Sequence, residues 1–407
     1  MKYIKILSRK LYKYLLIVIL ACAYLFMSLF SLIRNNKNYK KNKKVTLLVT
    51  ATFYSDNWIL SHLEPMALAN NVENIIFVTT KPFPEINKVK QVFPSAIQLK
   101  ILGNVGARLF TFSMLALRNR PDYLIAFHLL INGIIAIILG KILGSPSVYI
   151  CGGGPREVLG GGYTTENRIF KKIDEHSHVL EKILMRIANN ATNIITMGNG
   201  AIRYFNDNGV TSPEYHVLPG GYNDTKFYAS NIEKKYDLIL VGRLSEVKRV
   251  DIFLRCIEEL KKQGYDNTAV IIGDGPLLDE LKKLAHKIGV GDLVTFAGWQ
   301  DNVEHWLQLS KVFMLTSDSE GLSQAMIQGL MCGLPSIVSE VGDLGEVIQN
   351  GYNGYLVDDR NAAEFAKYVI TILHETDTYE LMKKNAIASV QPLVLGEAAK
   401  GWQSVFK

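Results

Sequence analysis

Twice along this chain, short apolar runs rich in β-branched residues alternate with stretches of helical periodicity, and this alternation limits the fold more than any other feature. The first series has runs at Val45 to Val49, Asn74 to Val78, Ile97 to Leu102, Tyr123 to Phe127, Val148 to Cys151 and Asn193 to Thr196. The second has Asp237 to Val241, Ala269 to Ile272, Val294 to Phe296, Val312 to Thr316, Ser336 to Ser339 and Gly354 to Val357. Strands alternating with helices build parallel, doubly wound sheets, so two such series predict two α/β domains. A chain of 407 residues also exceeds the ~250–300 at which a single core stops growing.

The helix after Val241 shows the pattern best, with Val250, Phe253, Leu254 and Ile257 on one face and Gly264 as its C-terminal stop. The run Tyr123 to Leu143 has the apolarity of a membrane helix but holds His128, Asn132, Gly133 and Gly140. It reads as a buried strand followed by a packed helix. Leu218-Pro219-Gly220-Gly221-Tyr222-Asn223 lies between the two series and suits a hinge. The expected organisation is a membrane anchor and basic tether over 1–44, a first domain over 45–220 and a linker over 221–235. A second domain over 236–390 and a C-terminal helix over 391–407, returning to the first domain, complete it.

Charge separates the ends of this organisation. Residues 1 to 44 hold eleven Lys or Arg and no acid, and removing them leaves 34 basic against 38 acidic residues. A nucleic-acid binder carries its basic excess on the folded domain, so no nucleic-acid partner is expected. Here the excess flanks an uncharged run from Leu15 to Ile33, near the ~20 apolar residues a spanning helix needs, and the pair points to lipid headgroups. That run exceeds the ~7–15 residues of a cleaved signal's apolar region and has no clear small-x-small site after it, which favours a single-pass anchor. Five bases precede the run and six follow it, a margin that slightly favours a cytoplasmic C-terminal side. Cys22, Cys151, Cys256 and Cys332 show neither metal-ligand spacing nor a disulfide pattern, which fits a reducing compartment.

Three segments place polar residues just after predicted strands. Gly242-Arg243-Leu244-Ser245-Glu246-Val247-Lys248 puts a glycine at the strand end, an arginine beside it and a lysine in the expected first helical turn. Close backbone approach, free N–H groups and two cations suit a diphosphate. Taken alone, Arg243 and Lys248 read equally well as solvated charges. Gly273-Asp274-Gly275-Pro276 is a second strand-to-helix turn, and by itself an ordinary one. Ser319-Glu320-Gly321-Leu322-Ser323 is expected to enter a helix on which Gln328, two turns on, faces the same ligand; Glu320 is otherwise a partner of the helix dipole.

In chain order, Val241-Gly242-Arg243-Leu244 with Lys248 and Asp251, Gly273-Asp274-Gly275-Pro276, Phe296-Ala297-Gly298-Trp299-Gln300-Asp301, Glu320-Gly321, Cys332-Gly333-Leu334-Pro335, Gly345-Glu346-Val347-Ile348 and Asn353-Gly354-Tyr355-Leu356-Val357 resemble the C-terminal domain of the family-4 retaining glycosyltransferases. The likeness covers most of residues 237 to 375, and 193 to 227 resemble the family's interdomain region more loosely.

The resemblance implies a GT-B fold, two Rossmann-like domains facing a cleft, and transfer of a sugar from a nucleotide diphosphate. Arg243 and Lys248 would hold the diphosphate and stabilise the charge it gains as the sugar leaves. Glu320 matches the first carboxylate of the family's Glu-x7-Glu pattern, which engages the sugar. Gln328 takes the place of the second, which usually holds the ribose, and an amide bonds a ribose less strongly than a carboxylate. Gly242, Gly273, Asp274, Gly298, Gly321, Leu322 and Ser323 complete the implied donor contacts.

In the first domain His128 matches a family position near the reacting centre, where it would bind an acceptor or sugar hydroxyl. An isolated histidine on an apolar stretch is more often a core residue. The family's glycine pair after the first strand is missing from Ala51 to Asp56. Two glycine triplets, Gly152 to Gly154 and Gly160 to Gly162, flank Pro155-Arg156-Glu157 instead. They are expected to form a mobile loop, with Gly153 and Arg156 on the acceptor side; a plain surface connection is the alternative.

No Asp-x-Asp pair or His/Cys/carboxylate spacing marks a metal site, so no metal or other cofactor is expected. The reading is a retaining glycosyltransferase with a nucleotide-sugar donor and a lipid-linked or glycan acceptor at a membrane. An inverting transferase using His128 as base and a catalytically silent sugar-nucleotide-binding subunit are the alternatives. The Gly-x-Gly-x-x-Gly of nicotinamide dehydrogenases is absent after any strand.

Overall fold

The computed structural model describes residues 2–33, 44–52, 55–163, 168–173, 175–359, 361–374 and 376–406. The expected basic tether lies outside the described residues except for Lys44, as do residues 53 and 54 after the first strand. The chain forms two compact units, one of residues 1–221 with 398–407 and one of residues 222–397.

The first unit opens with helix α1 (Lys2–Ile33). Seven parallel strands follow: β1 (Val45–Thr50), β2 (Val72–Val78), β3 (Val89–Val92), β4 (Tyr123–Phe127), β5 (Ser147–Cys151), β6 (Asn193–Thr196) and β7 (Glu214–Val217). They lie in the order β3-β2-β1-β4-β5-β6-β7. β4, β5 and β6 are buried at every position, as expected for strands covered on both faces. The connecting helices are α2 (Asp56–Leu68), α3 (Ala96–Asn119), α4 (Ile134–Leu143), α5 (Arg168–Lys171), α6 (His178–Ala188) and α7 (Asn199–Asp207).

The second unit has six parallel strands: β8 (Tyr236–Val241), β9 (Ala269–Ile272), β10 (Val294–Gly298), β11 (Ser310–Leu315), β12 (Ser336–Ser339) and β13 (Gly354–Val357). Their order is β10-β9-β8-β11-β12-β13. Its helices are α8 (Val250–Lys262), α9 (Leu278–Lys287), α10 (Val303–Gln308), α11 (Gln324–Met331), α12 (Ala362–His374) and α13 (Thr376–Ser389). The predicted apolar face of α8 is buried in this unit's core, and Gly264 just beyond it has φ +86, the left-handed conformation a glycine stop supplies. A last helix, α14 (Leu395–Val405), belongs to the first unit from Ala398 onward. There Trp402 is fully buried and stacks on Phe406, whose ring meets Tyr123 edge-on.

Both sheets are therefore Rossmann-like, and the predicted run Tyr123 to Leu143 is indeed a buried strand followed by a packed helix. Three expectations are corrected. Ile97 to Leu102 is the start of helix α3, not a strand: Ser95 Oγ accepts from Gln98 N while Gln98 Oε1 accepts from Ser95 N, a capping box that outweighs a short apolar run. The real strand is the half-polar β3 nearby. The expected linker is part of the second unit from Tyr222 onward, because Tyr222 and Phe227 are buried in its core.

The two glycine triplets do not make a loose loop. They fold into two tight turns, Gly154–Glu157 and Leu159–Gly161. Gly161 and Gly162 have φ +81 and +78, and a Cβ on either would lie 2.7 or 2.8 Å from Leu180 or Leu130. Only glycine fits both the conformation and the space.

Candidate functional site

In a doubly wound sheet, ligands bind beyond the carboxyl ends of the strands where the winding direction reverses. In the second unit the chain runs outward from β8 to β9 and β10, then returns to β11 on the other side of β8. The reversal falls between β8 and β11. The loops leaving these two strands carry Arg243, Lys248 and Glu320.

Lys248 Nζ donates to Glu320 Oε1 at 2.5 Å, and Ser317 Oγ donates to the same oxygen at 2.6 Å. Glu320 is largely buried and Lys248 mostly so, while Arg243 is exposed. A second bond ties the loops together, from Asp318 N to Val247 O at 2.8 Å. Lys248 does not stand in a first helical turn as expected. It closes the short 3-10 turn Glu246–Lys248, and α8 begins at Val250 after Arg249, whose φ of +46 reverses the chain. That reversal lets Lys248 point back to the strand ends. Arg249 itself pairs with Asp251 and Asp318.

Glu320 and Gln328 do not share a helix face. α11 starts at Gln324 with Ser323 as its N-cap, accepting from Met326 N, so Glu320 sits in the preceding loop. Gln328 is in the helix and buried. Gly321 and Leu322 link the two, and Gly321 O accepts from Asp343 N at 3.1 Å.

Glycines let neighbouring loops touch. Gly242 N donates to Ile272 O, Gly273 N to Gly298 O and Leu244 N to Asp274 O. Gly273 has φ +133, and a Cβ there would lie 2.0 Å from Gly242 O. Gly242, Gly273 and Gly298 thus meet backbone to backbone, with the exposed Asp274 at their rim. The structure brings Gly242, Lys248, Glu320, Gly273, Asp274 and Gly298 to one edge of one sheet, with Gly321 to Ser323 leading from it to Gln328.

In the first unit the winding reverses between β1 and β4. His128 follows β4 with φ +63, a strained conformation for a histidine and a mark of a fixed position. Its Nδ1 lies 2.6 Å from Glu157 Oε1. Glu157 is buried and also accepts from Gly153 N at 2.7 Å, Leu129 N at 3.0 Å and Tyr149 Oη at 2.8 Å. Burial alone pulls the His128 imidazole down, but the charge and hydrogen bond of Glu157 more than restore it, so it titrates above its ordinary value. Burial likewise raises Glu157, and His128 with the two backbone donors carries it below the usual carboxylate range.

Gly153 serves this pair, because its N–H helps hold Glu157; Arg156 lies one residue before it, half-buried. Trp58 stacks beside His128 with ring centroids 6.3 Å apart, and a Cβ on Gly152 would touch both side chains. His62 packs between Trp58 and Phe127, where burial pulls it down to about 4. Sequence reasoning missed Glu157, Trp58 and His62 as site residues. Glu157 carried a signal, an acid between two glycine triplets, whereas the other two carried none.

One cluster absent from the sequence reading is formed by His176, His178 and Glu181, whose possible ligand atoms lie within 4.8 Å of one another. Both imidazoles are exposed, and Glu181 already accepts from Gly160 N and from Tyr204 Oη.

Comparison with known proteins bears on the second unit most directly. Residues 223–389 match the family model for glycosyl transferases group 1. Over 158 residues the chain is 30% identical to N-acetyl-alpha-D-glucosaminyl L-malate synthase of Bacillus anthracis, 39% of this chain and 41% of that protein. Over 180 residues it is 28% identical to the GDP-mannose-dependent alpha-(1-6)-phosphatidylinositol monomannoside mannosyltransferase of Mycobacterium tuberculosis, 39% of this chain and 47% of that protein. The chain thus spans less than half the length of these curated relatives. Anabaena HepE in complex with UDP and glucose shares the fold over 89% of this chain and 99% of its own, with a TM-score of 0.69 and 16% identity. That likeness shows a GT-B fold.

Proposed function

We infer that this chain, whose residues 223–389 form a group 1 glycosyl transferase domain, is a retaining glycosyltransferase that moves a sugar from a nucleotide diphosphate to a lipid-linked or glycan acceptor at a membrane. The observation that carries the reading is the Lys248–Glu320 contact at the β8/β11 reversal, braced by Ser317. It holds a cation and a carboxylate side by side where a diphosphate and its sugar would lie.

In this mechanism Lys248 and Arg243 bind the donor diphosphate. Their charges gain most when the bond from the sugar's anomeric carbon to the diphosphate oxygen breaks and negative charge builds on the leaving group. Glu320 orients Lys248 before the donor arrives and accepts from the sugar hydroxyls afterwards. The touching glycine loops leave the backbone open to a flat, polar ligand. Gln328 donates to or accepts from the ribose. On the first unit, His128 is fixed in orientation by Glu157 and binds an acceptor or sugar hydroxyl. The new bond joins the acceptor oxygen to the anomeric carbon with its configuration kept, and the acceptor's proton leaves with the diphosphate. No metal is assigned a step, since two cations flank the diphosphate.

The amide at Gln328, where the family's pattern has a carboxylate, favours one second reading, a sugar-nucleotide-binding subunit without turnover. One experiment separates the two. The purified chain is screened for thermal stabilisation by UDP-, GDP- and ADP-sugars, because a ligand that binds only the folded state raises its stability. The stabilising donor is then incubated with glycan and lipid-linked acceptors. Nucleotide release with an α-linked product from an α-donor supports the reading. Binding without release, to any acceptor or to water, overturns it, and a β-linked product replaces it with an inverting transferase.

A further inference from the structure

Helix α1 is long and apolar enough to cross a membrane over Arg9–Leu29, yet its contacts are those of a helix lying along the first unit. Leu16, Leu20 and Met27 are buried in that unit's core, and α1 packs on α4 and α6. Polar groups of the unit run beside it. Lys13 Nζ pairs with Glu175 Oε1 at 2.7 Å, Lys172 Nζ lies over the Tyr12 ring, and the Arg186 guanidinium lies over the Tyr24 ring. Tyr12 and Tyr24 are about 18 Å apart along a helix rising 1.5 Å per residue. If α1 spanned a bilayer, these charges would be drawn through more than half of its ~30 Å hydrocarbon core.

The opposite side of α1 carries an exposed stripe of Leu11, Leu15, Val18, Cys22, Leu25 and Leu29, at alternating spacings of four and three. A second exposed apolar row lies on α3. Before the break at Gly103, where the backbone leaves the helical region, Ile97 and Ile101 are 71% and 74% exposed. After it, Phe110, Met114 and Leu117 form another exposed row. Right-handed crossovers put α3, α4 and α6 on one face of the sheet, and α1 and α3 both pack on α4. The two rows therefore belong to one side of the unit.

The two helices that carry these rows are also basic. Residues 86–121 contain no acid, and Lys100, Arg118 and Arg120 on or beside α3 are exposed. Residues 1–33 likewise contain no acid. Apolar rows bordered by cations on acid-free helices complement an anionic lipid surface, since the side chains enter the acyl boundary while the cations meet headgroups.

We propose that the first unit binds an anionic bilayer through one composite surface, the outward stripe of α1 together with the exposed rows of α3, with α1 lying in the plane of the membrane. This deepens the membrane part of the proposed function and is tested without turnover, so either can fail alone. The full chain is mixed with vesicles of phosphatidylcholine, with or without phosphatidylglycerol, and bound protein is measured by flotation. Binding is expected to be at least about tenfold tighter to the anionic vesicles, and the paired substitutions Ile97→Asp and Ile101→Asp are expected to weaken it at least about tenfold with the melting temperature unchanged. Cys22, the exposed cysteine of the four, carries a fluorophore for depth measurement in the otherwise native chain. Quenching strongest by lipids bearing a nitroxide near the headgroup supports the in-plane arrangement. Equal binding to neutral vesicles, full binding by the folded α3 variant, or quenching strongest at the bilayer centre overturns it.

Discussion

His128, in the turn after β4, and the buried Glu157, in the turn after β5, form a part-buried ion pair at the strand ends of the first sheet, with His128 Nδ1 2.6 Å from Glu157 Oε1 and the carboxylate held by two backbone N–H groups and Tyr149. The carboxylate fixes both the ring's orientation and its charge.

The pair makes stability depend on pH from both sides. His128 is raised above its ordinary 6.5, so its contribution is complete below that value and fades as pH rises through the raised one. Glu157 is lowered below its ordinary 4.5, so its contribution is complete above that value and fades as pH falls through the lowered one. The two overlap between about 4.5 and 6.5. Glu157→Gln is expected to remove this maximum, lower the His128 midpoint in a histidine NMR titration, and cost about 2 kcal/mol in urea unfolding, because an amide cannot accept from every donor Glu157 now serves. An unchanged His128 midpoint would show that the pair does not set its charge.

Lys248→Ala and Glu320→Ala separate binding from chemistry in the second unit. Each is expected to lower turnover about 10²- to 10³-fold, the scale for loss of one charge-stabilising group. Both side chains are mostly buried, so removing one leaves its partner's charge unpaired and is expected to cost about 3 kcal/mol and several degrees of melting temperature as well. Arg243→Ala, at an exposed position, is expected to lower turnover alike while the melting temperature stays within about 2 °C. Near-native turnover in Arg243→Ala and Glu320→Ala together would remove the site from this place. Parallel measurement of kcat and KM shows whether the lost contact is made in the transition state alone.

The sheets were legible in the sequence because fully covered parallel strands are written as unbroken apolar runs, as in Tyr123 to Phe127 and Ala269 to Ile272. α3 was not legible by that rule, since Ile97 to Leu102 is also an apolar run; the Ser95/Gln98 capping box was the signal that settles it. In the site, order along the chain found the strand-end loops but not the backbone reversals within them. The left-handed Arg249 moves Lys248 out of the helix, and the N-cap at Ser323 leaves Glu320 in a loop. Glu157 was hidden for another reason: its four donors come from β5 and from the turns after β4 and β5, and no spacing rule connects them.

Gly273→Ala tests whether backbone contact between strand-end loops builds the donor side. A Cβ at Gly273 would lie 2.0 Å from Gly242 O, and the residue's φ of +133 is closed to L side chains. Alanine must push the Gly242 loop away from β9, at a cost of about 2 kcal/mol or more by urea unfolding. Nucleotide-sugar binding should fall with it, because Lys248 stands on the displaced loop. Stability within about 0.5 kcal/mol of the parent would show that the loops have room to separate.

Gln328→Glu places a carboxylate at a position that is 6% exposed on α11. Without donor, burying the charge there should destabilise the chain by about 3 kcal/mol or more. With donor, ribose hydroxyls would satisfy it, and a charge-assisted bond is roughly twice as strong as the neutral one it replaces. The melting-temperature gain on adding a stabilising nucleotide sugar should therefore exceed that of the parent, with donor affinity kept or improved. The comparison tells two histories of this residue apart. If affinity holds, the amide is a tolerated substitution in a working donor site; if it falls sharply, Gln328 makes a contact that needs the amide's own N–H, and the ribose is gripped here by a different pattern from the family's paired carboxylates.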